Sequence, residues 1–177
     1  MDKRNFTLNM NLACSKDDLR PVLQHVYFDS GFMLATEGHI LVKAAVQHFS
    51  HFDKSEVDTL NGKFIHKNTF KKIIACEQVI ITENGVQDLA TKDVYAFSNV
   101  EQKYPNFDSV IPTKVEAIES IGINPKIAAT LMKVLSNPEI TTIKLEFSGV
   151  NKGIKITTPG YNEGTIYCVL MPAALEG

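Results

Sequence analysis

Tyr104-Pro105-Asn106-Phe107-Asp108-Ser109-Val110-Ile111-Pro112 divides the chain into two blocks that read alike. Its two prolines fix φ and remove backbone donors, so the stretch runs extended and stiff. Its aromatic and aliphatic side chains are too apolar for a free linker, which sets it against the body of the protein as a connector. On either side the pattern predicts a strand, a short amphipathic helix and three strands.

Upstream, the alternation of Phe6, Leu8 and Met10 predicts a strand over residues 5–11, ended by Ser15-Lys16-Asp17-Asp18. Strands at 22–28 and 32–35 flank Asp29-Ser30-Gly31, whose glycine suits a tight hairpin, and a third follows at 40–46. Residues 47–62 are polar and acidic and read as a surface loop. A short strand at 63–66 leads to Asn68, the expected N-cap of a helix carrying Phe70, Ile73 and Ile74. Strands at 79–81, 87–89 and 94–97 complete the block, with Glu83-Asn84-Gly85 as a hairpin turn.

Downstream the plan returns. A strand is expected over 117–123, then Asn124 as N-cap with Pro125 at the first helical position. The helix runs to about Leu135 on the stripe Ile127, Leu131, Val134 and Leu135, and Asn137-Pro138 stops it. Strands at 142–147, 153–156 and 165–170 follow. The repeat is weak, but it predicts an α+β fold of antiparallel sheets with two helices on one side. The chain is read as one unit, 1–177, divisible at the connector into 1–103 and 113–177.

The 177 residues are 44% hydrophobic and 21% charged, the composition of a globular domain rather than a disordered chain. No apolar run approaches the roughly 20 residues of a membrane helix, and the start lacks a signal-type apolar core. Leu12-Ala13-Cys14 resembles a lipoprotein cleavage site, but Asn5, Thr7, Asn9 and Asn11 precede it. Cys14, Cys76 and Cys168 are odd in number and lack a CxxC spacing, which predicts reduced thiols in a cytoplasmic protein. A net charge of −2 advertises no nucleic acid, so any DNA contact needs a local basic face.

Four short stretches, in order, resemble the bacterial DNA polymerase sliding clamp, the beta subunit. Leu19-Arg20-Pro21-Val22-Leu23 is similar to the strand entering that family's middle domain, and Thr36-Glu37-Gly38-His39-Ile40-Leu41 to its Thr-Asp-Gly-His-Arg-Leu. The connector is similar to Phe-Pro-Asp-Tyr-Arg-Arg-Val-Leu-Pro, with Ser109 where arginine is usual, and Val169-Leu170-Met171-Pro172 to the terminal Val-Val-Met-Pro. The resemblance covers Leu19 to Leu175 and implies a reduced clamp without a first domain. It further implies a hydrophobic pocket for the short peptides of polymerases and repair proteins. That pocket comprises Leu23, Thr36, Gly38, His39, Leu41, Pro105, Val110, Val169, Leu170, Met171 and Pro172.

A basic face is legible without the resemblance. Lys67 and Lys71 are one helical turn apart with Lys72 beside them, and Lys126, Thr130 and Lys133 share one side of the second helix. If both helices face one way they can meet the phosphates of double-stranded DNA, weakly and without reading bases. The chain has only two arginines, Arg4 and Arg20, which disfavours bidentate base readout. His48, His51 and Asp53 lack a second ligand cluster, so no metal and no cofactor is expected. No nucleophile motif, P-loop or dinucleotide fingerprint appears. The expectation is a non-enzymatic, clamp-like protein of DNA replication or repair that forms a homo-oligomer. The alternatives are a peptide-binding adaptor or decoy that does not encircle DNA and, more weakly, an unrelated α+β enzyme.

Overall fold

The computed structural model describes residues 4–159 and 165–174. Met1 to Lys3 and the end of the matched stretch at Leu175 lie outside them. Ten strands are present among these residues: β1 His25–Asp29, β2 Phe32–Thr36, β3 Ile40–Ala45, β4 Phe64–His66, β5 Val79–Thr82, β6 Gly85–Asp88, β7 Val94–Ala96, β8 Lys144–Glu146, β9 Ile154–Thr157 and β10 Ile166–Leu170. The helices are α1 Lys54–Leu60, α2 Lys67–Ile73 and α3 Pro125–Val134.

Seven strands form one antiparallel sheet in the order β4-β1-β2-β3-β10-β9-β8, and β5-β6-β7 form a second. The pairing of β3 with β10, Leu41 opposite Val169 and Val42 opposite Cys168, joins the upstream block to the downstream one. Alternation along the strands then sorts side chains to two faces. One face carries Val26, Phe28, Met33, Ala35, Ile40, Val42, Ile154, Ile156, Cys168 and Leu170 into the main core. That core also holds Leu60 of α1, Phe70 and Ile73 of α2, and Leu131 and Val134 of α3, so the helices cover one side. Phe6 anchors its centre, edge-on to Phe52 at 4.8 Å and tilted against Phe70 at 5.0 Å. The opposite face carries Leu34, Leu41 and Val169, over which the connector lays Tyr104 and Phe107.

Several sequence expectations change. Residues 5–11 bury Phe6, Leu8 and Met10 as their alternation requires, yet they form no strand; a 3-10 turn occupies Met10–Ala13. The reason lies in their partners: Thr7 N–H donates to Phe49 O and the Asn5 carboxamide to Ile73 O and Cys76 O, not to a ladder. The expected loop at 47–62 holds a 3-10 turn at Val46–His48 and the helix α1, a third helix where two were expected. Asp53 and Glu56 close a reciprocal capping box on α1, a signature present in the sequence but carrying only Val57 and Leu60 as apolar support. The strand expected at 22–28 begins only at His25, after a 3-10 turn over Pro21–Gln24. The cap of α2 is His66, not Asn68. No strand forms over 117–123, where a single bridge joins Gly122 to Ala173 and the downstream copy loses its first element.

Two turns show how glycine is used. Ser30 and Gly31 both take positive φ, +51° and +80°, which matches the twist of the β1–β2 hairpin. Gly85 does otherwise: the turn residues are Glu83 and Asn84, and Gly85 is the first residue of β6, opposite Thr82 and Ala96. A Cβ there would lie 2.3 Å from Tyr95 O, so the glycine permits close strand approach rather than a left-handed turn.

Candidate functional site

On the helix face, α2 and α3 flank the 3-10 turn at Met10–Ala13. Asn124 caps α3 by accepting from Lys126 N at 3.0 Å and Ile127 N at 3.4 Å, and Pro125 occupies the first helical position. With Leu131 and Val134 turned into the core, Lys126, Thr130 and Lys133 face outward. On α2, burial of Phe70 and Ile73 leaves Lys67 and Lys71 on the side facing α3. Together with Lys16, these lysines line one groove of about 540 Å³, floored by Leu12, Cys14, Ile40 and Ile127. Lys72 is exposed and outside it.

The groove is not neutralised. Its one carboxylate, Glu37, accepts from His39 N at 2.7 Å and Ile40 N at 2.9 Å. Among the described residues no carboxylate pairs with Lys16, Lys67, Lys71, Lys126 or Lys133. Elsewhere Lys43 pairs with Asp108 at 2.7 Å, Lys144 and Lys155 with Glu146, and Lys152 with Glu116. Lys67 is positioned by donating to Ser15 O at 2.6 Å. Cys14 is inert, its thiol pushed up to about 12 by burial despite the nearby Lys67 ammonium. Lys16 escaped the sequence reading because the turn that brings it to the groove has no helical period.

On the outer face, Leu23, Leu41 and Val169 are buried together with Leu34, Tyr104 and Phe107. The connector is fixed by ring stacking, Tyr27 to Tyr104 at 5.0 Å and Tyr104 to Phe107 at 5.3 Å, and by the Lys43–Asp108 pair. Tyr104 Oη donates to His25 O at 3.3 Å. Thr36 Oγ1 donates to Ile40 O at 2.6 Å and accepts from Gly38 N at 3.1 Å, shaping the β2–β3 turn. Met171 N donates to His39 O at 2.8 Å, which brings the chain's last strand beside that turn. Val110, Met171, Pro105, Gly38 and His39 are exposed, and Pro172 is half-buried. Met171 and Pro112 flank Gly153 and Val169. Leu170 lies on the other face, in the main core. Of the eleven residues that the resemblance groups, the sheet therefore gathers Leu23, Leu41 and Val169 under the connector. Met171 lies beside Val169, and Leu170 is sent to the other face.

His48 and His51 line another groove with Asn9 and Glu139. Among the described residues no three His, Cys, Asp or Glu side chains converge as metal ligands. Within the same residues no helix is long and apolar enough to cross a membrane.

No protein-family model and no curated protein sequence matches the chain. Solved structures do. The DNA polymerase sliding clamp of Bacillus subtilis superposes with a TM-score of 0.69 at 17% identity, over 99% of this chain and 65% of that one. The DNA polymerase III subunit beta of Borrelia burgdorferi gives 0.68 at 12% identity, over 95% and 61%. The sliding clamp of Bartonella birtlesii bound to griselimycin gives 0.64 at 15% identity, over 96% and 63%. The chain thus spans less than two thirds of the length of these clamps. The α+β architecture of antiparallel sheets with helices gathered on one side is the fold of the bacterial sliding clamps.

Proposed function

We propose that the chain is a non-enzymatic, clamp-like scaffold of DNA replication or repair, cytoplasmic and self-associating. It holds double-stranded DNA against its helix face and docks short apolar peptides on its outer face. The charge arrangement supports this most. Five lysines from three segments line one groove without a carboxylate partner among the described residues, whereas Lys43, Lys144, Lys152 and Lys155 are paired. Lysine ammoniums meet phosphates as point charges, and neither arginine lines the groove, so binding is independent of sequence. The buried thiols of Cys14 and Cys168 are both pushed up by desolvation, leaving them poor nucleophiles.

Anisotropy titrations with two labelled duplexes of unrelated sequence test the DNA face. Equal affinities are expected, falling with salt by about 0.9 in log-log slope for each lysine engaged. Replacing Lys71, Lys126 and Lys133 by Glu should abolish binding with the fold intact; Lys67 is spared because it holds the Ser15 carbonyl. Unchanged binding by that variant would reduce these lysines to a solvated face.

Peptide docking is supported by the apolar cluster under the connector and the exposed Val110 and Met171 beside it. Ser109 stands where the resembling family carries arginine, which removes charge-assisted hydrogen bonds worth about 1.5–3 kcal/mol. Micromolar or weaker binding of clamp-type peptides is expected by NMR titration, lost in Met171→Asp because an unpaired carboxylate in an apolar site is costly to desolvate. Shifts confined to other surfaces would end the outer-face reading.

A further inference from the structure

The groove between α2 and α3 is concave, and its volume of about 540 Å³ is that of a small-molecule site. A duplex is a broad convex rod: it can touch lysines at the rim but cannot descend between the helices. Lysines nevertheless line it from both walls, Lys71 from α2 and Lys126 and Lys133 from α3, together with Lys16. Like charges gathered around one volume repel, and the anion that relieves this best is one that enters and reaches both walls at once. Lys67 is already oriented by its bond to Ser15 O, leaving its remaining ammonium protons for a ligand. In the groove wall, Asn11 Oδ1 is buried without a hydrogen-bond partner; exchanging the two ends of the carboxamide would place an N–H donor there instead.

We propose that this groove is also a binding site for a compact polyphosphate, a chain of about three phosphates, inorganic or carried by a nucleotide. The inference rests on the groove lysines forming an anion-binding face, and adds that the face has a pocket with its own ligand. A chain of phosphates can meet more of the groove's ammoniums at once than a single phosphate, so affinity rises with the length of the phosphate chain. A diffuse basic surface also favours the more highly charged anion, but without a single saturable stoichiometry and without dependence on one lysine from each wall.

Isothermal titration of the full chain, in metal-free buffer of fixed ionic strength, compares inorganic phosphate, pyrophosphate, tripolyphosphate and ATP. Tripolyphosphate is expected to bind at one site at least about tenfold more tightly than phosphate, consistent with several simultaneous lysine contacts. Lys71→Glu and Lys126→Glu, one on each wall, should each weaken it by a similar factor, while the exposed pair Lys103→Glu and Lys114→Glu leaves it unchanged. Circular dichroism checks that each variant is folded. ATP binding as well as tripolyphosphate assigns a nucleotide; ATP failing where tripolyphosphate succeeds assigns the inorganic chain. Equal affinity for phosphate and tripolyphosphate, no saturation at millimolar tripolyphosphate, or indifference to both wall substitutions overturns the proposal. Tripolyphosphate failing while duplex binding and its salt slope persist would remove the pocket alone. Duplex binding failing while tripolyphosphate binds would remove the DNA reading alone.

Discussion

His66 links three levels of the structure through one imidazole. Its Nδ1 accepts from Asn68 N at 3.3 Å as the cap of α2, its Nε2 meets Gln24 Oε1 at 3.3 Å, and its ring stands edge-on to His25 at 5.2 Å. An acceptor Nδ1 requires the neutral ring, and burial, with the Lys67 charge second, lowers the His66 pKa. Burial also lowers that of His25. A folded-state pKa below the ordinary value of about 6.5 means that stability is complete above that pH and is lost as pH falls through the folded pKa. His66→Asn keeps a good cap without a titrating group, so urea unfolding should show a shallower loss between neutral and mildly acidic pH. An unchanged pH dependence would place the effect elsewhere. Glu56 is the second residue of this kind, accepting from Arg4, from Asp53 N at 3.0 Å and from Ile81 N at 3.0 Å while nearly buried. Glu56→Ala leaves those donors without their acceptor and should cost about 3 kcal/mol in urea unfolding. A loss below about 1 kcal/mol would show that water replaces the carboxylate.

Among the elements, α3 and the connector depend on different physics. Helix α3 is held by a cap and a stripe, both local. Asn124→Ala should lower stability by about 1 kcal/mol, read as a lower urea midpoint with unchanged slope. The connector is held by burial. Phe107→Ala removes a ring stacked on Tyr104 and packed over the sheet, a change of about 3 kcal/mol on precedent for buried aromatics. The Lys43–Asp108 pair looks like the latch but is not the main one. Asp108 is 74% exposed, so a double-mutant cycle on the pair should give a coupling below about 1 kcal/mol that shrinks with salt. A coupling larger than the cost of Phe107→Ala would reverse that ranking.

At the scale of the molecule, the sheet explains why two faces differ in chemistry. The β3–β10 pairing fixes which residues of β10 look toward the helices and which toward the connector. A basic groove and an apolar cluster are therefore back to back across one sheet. The clamp reading expects self-association, visible as a concentration-dependent mass by light scattering. A strict monomer at micromolar concentration would favour the adaptor, which keeps the peptide face and does not encircle DNA.

The sequence by itself determined what rests on local chemistry. Asn124-Pro125 and the stripe after it define α3, Asp29-Ser30-Gly31 the first hairpin, and the connector's aromatics its burial against the protein. The lysine spacing on each helix was legible for the same reason, since helical periodicity is intrinsic to the chain. Tertiary structure decided what depends on distant partners. Phe6, Leu8 and Met10 alternate like a strand, but Thr7 N–H bonds Phe49 O and the Asn5 carboxamide bonds Ile73 O and Cys76 O, and no ladder forms. Residues 117–123 read as a strand and become an exposed run with one bridge. Lys16 joins the groove because the turn before it packs between α2 and α3, and Leu170 leaves the outer cluster because β10 docks on β3 in one register. Local propensity limits what a segment can become; the free energy of burying one face of a shared sheet chooses among those outcomes, and that choice is made by residues more than a hundred positions away.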